Sequence, residues 1–117
     1  MGMLRRHKDF ASKVKEQPHE LYYRCQKNVQ FAKVLDKLVK HSELKKFDYR
    51  VNHLIRRIIY DKICGGRWEK LVKPAFVDNC SIEELEDAIK LAHILLIDDT
   101  LFRQLIEESK GYRVQND

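Results

Sequence analysis

Turn-forming residues are scarce in this chain, which has 4 glycines and 2 prolines in 117 residues. A fold built from many short strands needs frequent tight turns, so the scarcity argues against a sandwich or barrel and for a few long helices. Long apolar runs are missing as well. The longest, Leu91 to Ile97, is interrupted by His93 and falls well short of the ~20 residues that cross a bilayer. The three cysteines, Cys25, Cys64 and Cys80, are an odd number without C-x-x-C spacing and follow no secretory leader, which suits a reducing compartment better than a disulfide scaffold. The expected location is therefore intracellular, in cytoplasm or nucleus. A mitochondrial address, suggested by Arg5, Arg6 and Lys8, is the weaker reading because Asp9 and Glu16 follow closely.

Recognisable chemistry is also scarce. Gly65-Gly66-Arg67 lacks both the spacing and the Lys-Ser or Lys-Thr end of a phosphate-cradling loop, and reads as a helix stop. There is no H-x-x-x-H pair and no cysteine pair at zinc spacing, so a metal site would have to assemble from scattered Cys64, Cys80 and His93. His93, alone in an apolar stretch, reads as a core or boundary histidine. Asp98 and Asp99 adjoin in sequence, and adjacent helical residues do not face one another, so they read as cap residues rather than an acid and base pair. No catalytic residue, cofactor or metal is expected.

What is present is helical periodicity. Hydrophobic residues make up 44% and charged residues 35%, enough apolar material for one core in a chain of ordinary domain size. From about His19 to Lys40, apolar positions Leu21, Cys25, Ala32, Leu35 and Val39 recur at three and four, and Tyr22, Val29, Phe31 and Leu38 widen the stripe. Pro18 sits at the start, where a missing amide costs little. Before it lies a short amphipathic segment, Leu4, Phe10, Ala11 and Val14, so residues 1–17 are expected to be loosely attached to a single domain spanning 1–117. Phe47, Val51, Leu54, Ile58 and Ile55, Ile59, Ile63 form two adjacent rows on one helix, which predicts contacts on more than one side and a central place.

Gly65 and Gly66 should end that helix, and Trp68, Leu71 and Val72 a short turn before Pro74. Ser81 to Glu84 reads S-x-x-E, a capping box, and opens a helix that buries Ile82, Leu85, Ala88, Ile89, Ala92, Leu95 and Leu96. Asp98, Asp99 and Thr100 cap a last helix with Leu101, Phe102, Leu105 and Ile106 on its apolar face, running to Gly111. The prediction is an all-α compact bundle of about five or six helices.

Charge divides unevenly along the chain. Residues 1–77 hold 19 Lys plus Arg against 8 Asp plus Glu, whereas residues 78–117 hold 4 against 10, so a basic part of +11 precedes an acidic part of −6. Such a contrast can be internal to the fold, or it can leave a field for an acidic partner or a phosphate backbone. The densest cations are Lys45, Lys46 and Arg50, then Arg56, Arg57, Lys62 and Arg67, with Tyr49 and His53 interleaved. They avoid the apolar rows and are expected to be exposed. Together Lys45, Lys46, Tyr49, Arg50, His53, Arg56, Arg57 and Arg67 form the candidate partner-binding set.

Two short stretches resemble parts of known families. Val51-Asn52-His53-Leu54 followed by Trp68-Glu69-Lys70-Leu71-Val72 resembles the end of the N-terminal helical domain of transcription elongation factors, which implies a protein-binding bundle. Leu21-Tyr22-Tyr23-Arg24 resembles the Leu-Tyr-Arg signature of mitochondrial assembly factors, with an extra tyrosine. Each covers a minority of the chain, and no family is assigned from them. The expected function is a non-enzymatic adaptor or regulatory module that recognises another protein through a helix face. The alternative is nucleic-acid binding through the basic helices, with affinity that falls steeply as salt rises. Homo-oligomerisation through the opposite charges of the two parts is left open.

Overall fold

A computed structural model describes residues 17–41 and 49–115. Pro18 opens α1 (Pro18–His41), and the amide of Gln17 donates to Glu20 Oε1 at 2.7 Å, satisfying a donor that the first turn leaves without a partner. α2 spans Tyr49–Cys64 and stops at the glycines expected to end it. Gly65 takes φ 71°; its amide donates to Lys62 O and the amide of Gly66 donates to Asp61 O, the paired bonds of a Schellman motif. A single 3₁₀ turn, Trp68–Lys70, and the one-turn helix α3 (Phe76–Asn79) lead to α4 (Ile82–Leu95). Both bonds of the Ser81–Glu84 capping box are made, at 3.0 and 2.8 Å. Asp98 Oδ1 then accepts from the Leu101 amide at 2.9 Å and starts α5 (Asp99–Gln115). Among the described residues there are five α-helices and no strand, and none of the helices is long and apolar enough to cross a membrane.

α2 is central, as its two apolar rows require. Val51, Ile55, Ile58 and Ile59 are buried where α2 meets α1, α4 and α5. Phe31, Val34, Leu35 and Leu38 come from α1, Leu85, Ala88, Ile89, Ala92 and Leu95 from α4, and Phe102 and Leu105 from α5. Fully burying a side chain of this size stabilises the fold by roughly 1.5–3 kcal/mol. Under the 3₁₀ turn, Tyr60 stacks on Phe76 at 4.0 Å, and Trp68 sets an edge against both rings.

Two local expectations are corrected. The apolar stripe predicted for α1 does not face inward as a whole: Phe31, Leu35 and Leu38 are buried, but Leu21, Tyr22, Cys25, Val29 and Ala32 are exposed. Nor does Gly111 end the last helix, which continues to Gln115. Beyond Gly111, Arg113 bonds to Asp61 and Glu69, and these contacts outweigh the ~1 kcal/mol that glycine costs in a helix. The expectation for residues 1–17 falls, apart from Gln17, outside the described residues.

Candidate functional site

Placement of the predicted cations decides what surface remains for a partner. Lys45 and Lys46 lie outside the described residues, as do the side chains of Tyr49 and Arg50. His53 is exposed on α2. Arg56 and Arg57 are partly buried and held inside the fold, which corrects the expectation that they stand free in solvent. Arg56 donates through Nε to Asn52 Oδ1 at 2.7 Å and through Nη1 to the Tyr60 hydroxyl at 2.9 Å, and its guanidinium lies 5.6 Å from the centre of the Phe31 ring. Burial pushes the Tyr60 phenol above its ordinary pKa, although the charge and hydrogen bond of Arg56 pull the other way. Arg67 is half-buried, with Nε 3.8 Å from Glu69 Oε1, a charge contact rather than a hydrogen bond.

Arg57 belongs to a polar network that joins α2, the 3₁₀ turn and α5. Asp61, 1% exposed, is its centre. The Trp68 amide donates to Oδ1 at 3.0 Å, while the Ser109 hydroxyl at 2.6 Å and the Arg113 guanidinium donate to Oδ2. Arg57 Nε donates to Ser109 Oγ at 3.2 Å, and Arg113 Nη2 reaches Glu69 Oε1 at 2.9 Å. Burial, then the charge of Arg113, lowers the Arg57 pKa against the opposing pull of Asp61 and Glu69. For Arg113 burial also acts downward, but hydrogen bonding and attraction to Asp61, with Glu69 behind them, prevail and raise it. A serine beside an aspartate could suggest a nucleophile and its base. Here the carboxylate accepts three hydrogen bonds and the hydroxyl both donates and accepts, so the arrangement locks three elements together.

Arg24 was not predicted as a site or core residue. It lies on the inner line of α1 with Phe31 and Leu38, each seven residues apart, and it is buried. Its two terminal nitrogens donate to Val77 O within α3 and to O of Cys80, the residue that follows it, both at 2.8 Å. The seven-residue spacing was visible in the sequence, but its charge hid its place. Cys64 and Cys80 are buried and His93 is exposed, so the three scattered metal candidates are not assembled. Among the described residues no group of three or more His, Cys, Asp or Glu could hold an ion.

The outer side of α1 is different in kind. Leu21, Tyr22 and Val29 are 49%, 67% and 54% exposed, and Cys25 and Ala32 complete an apolar row that no other described element covers. Stepping by four, Cys25 and Val29 run on into Lys33 and Lys37, a ridge on the exposed side of α1 that begins apolar and ends basic. Lys33 and Lys37 meet no carboxylate among the described residues, whereas Lys40 pairs with Asp36 at 3.1 Å. The signal that could have found this surface was the width of the α1 stripe, more than one face can bury.

Comparison with known proteins finds no matching family model, no matching curated protein and no matching solved structure.

Proposed function

We propose that this protein is a non-enzymatic interaction module, an adaptor or regulatory domain, that recognises another protein through the outer face of α1. The observation that carries the reading is the row Leu21, Tyr22 and Val29, each about half exposed or more on a helix whose inner line is fully engaged. A folded domain gains nothing in stability from large apolar side chains in water, and contiguous exposed apolar residues mark contact sites. Lys33 and Lys37 at the end of the same ridge add a preference for acidic partners. Arg56, an earlier candidate, meets α1 at the buried Phe31 ring, whereas Arg57 is tied to Ser109 of α5 and Arg67 lies beside Glu69.

The alternative, a nucleic-acid ligand, uses the same lysines and is separated by experiment. The protein and its Tyr22→Ala/Val29→Glu variant are each used to capture partners, and labelled RNA and DNA are titrated at two ionic strengths. Loss of a captured protein in the variant, with salt-insensitive or absent nucleic-acid binding, supports the adaptor reading. Strongly salt-dependent binding of RNA or DNA that survives the variant overturns it in favour of the alternative.

A further inference from the structure

A second row on this chain complements the first. On α4 the residues opposite the buried line Leu85, Ala88, Ala92 and Leu95 are Glu83, Asp87, Lys90 and Ile94, all exposed, and the turn after the helix adds Ile97. Ile94 is 44% and Ile97 87% exposed. The outer face of α4 therefore begins acidic and ends apolar, whereas the outer face of α1 begins apolar and ends basic. Laid antiparallel, the two match step for step. With Lys37 opposite Glu83, Lys33 falls opposite Asp87, because both pairs are four residues apart. Cys25 then falls opposite Ile94 and Tyr22 opposite Ile97 to within one residue, about 1.5 Å of helix rise. Lys90 meets the middle of the α1 row at Gln30, where its stem can cover Val29 and its charge can reach water.

From this register we infer that the partner seated on α1 is a second copy of the same chain, presenting the outer face of its α4. The inference rests on the reading of α1 as a docking face and names its occupant. Charge favours this occupant over two others that the chain itself offers. The first sixteen residues carry Arg5, Arg6, Lys8, Lys13 and Lys15 against Asp9 and Glu16, a basic segment that Lys33 and Lys37 would repel. A second α1 laid antiparallel would offer those lysines Glu20, its other acid Asp36 being paired with Lys40. Two further acids near the contact already have partners. Asp36 is held by Lys40, and Glu86 accepts from the Tyr23 hydroxyl. Because the two rows are different surfaces, the contact is heterologous and each copy keeps one row for the next. So few residues on each side make a weak, salt-sensitive association.

The test is sedimentation of the full chain from about 10 µM to about 1 mM, a span in which weak association becomes visible. The weight-average mass should climb above the monomer's 14.0 kDa at low salt and fall back at high salt. Two variants reverse the rows separately, Lys33→Glu/Lys37→Glu and Glu83→Lys/Asp87→Lys, and each should weaken self-association by about tenfold or more. An equimolar mixture of the two should recover it, since the acidic α1 of one meets the basic α4 of the other. Tyr22→Glu and Ile97→Glu should also weaken it. A monomeric wild type throughout, or failure of the mixture to recover while both variants keep their helical circular dichroism, overturns the inference. If the wild type stays monomeric yet the α1 variant loses a foreign protein, the second copy is excluded and the adaptor reading stands. If no foreign protein is lost either, both fall.

Discussion

The arginines of α2 and the lysines of α1 carry the same charge on neighbouring helices and are used in opposite ways. Arg56 and Arg57 each reach into the fold, one to Asn52, Tyr60 and the Phe31 ring, the other to Ser109 beside Asp61. Lys33 and Lys37 stand exposed on a ridge that continues an apolar row. Arginine suits the first task because its planar fork makes several directed bonds and loses little hydration when partly buried. Lysine suits the second, since a compact, strongly hydrated charge on a flexible stem stays in water without fixing the fold. A count of cations along the chain treats the two sets alike, but their surroundings divide them.

The sharpest way to break this contrast is to remove the carboxylate that organises the arginines. Asp61→Ala leaves Arg113 and Arg57 partly buried without their anion, and urea denaturation should show a loss of about 3–5 kcal/mol. A loss below about 1 kcal/mol would mean that the network is an ornament of the surface. Next in size is a paired comparison. Arg56→Ala should cost about 1–3 kcal/mol, because it strips a hydrogen bond from the buried Tyr60 hydroxyl and uncovers Phe31, whereas Lys33→Ala should stay within about 0.5 kcal/mol of wild type. Equal costs at the two positions would erase the distinction.

The smallest effect is alkaline. Tyr60 and Tyr112 both have pKa values raised above 10.0 by burial, Tyr112 also by Glu108 and Asp61. A raised folded pKa means that the unfolded chain gives up its phenolic protons first. Their contribution to stability is therefore complete below about pH 10 and declines above it as the folded protein in turn ionises. Melting temperature should fall with pH above that point, and tyrosinate absorbance should lag behind that of the urea-unfolded chain. Tyrosinate curves that coincide for folded and unfolded protein would refute the shift.

Much of the fold is legible in the sequence where neighbours within one turn decide the matter. Ser81 and Glu84 make their capping box whatever packs against α4, and Gly65 with Gly66 closes α2 through bonds to Asp61 and Lys62. The double apolar row of α2 likewise announces its central place. The candidate site is less legible. Gly111 carries the usual mark of a helix end, yet α5 passes through it because Arg113 is held by Asp61 and Glu69, residues 52 and 44 positions away in sequence. Arg24 reads as a surface cation until α3 places its carbonyls against it.

Local sequence alone determined the helical class, the caps and the stops, because hydrogen bonds and side-chain periods of three and four act within one turn of backbone. Tertiary structure decided which face of α1 points inward, which cations are consumed by the fold and which apolar row is left exposed. Those outcomes depend on groups brought together from distant parts of the chain, and periodicity carries no information about which of two apolar faces will find a neighbour.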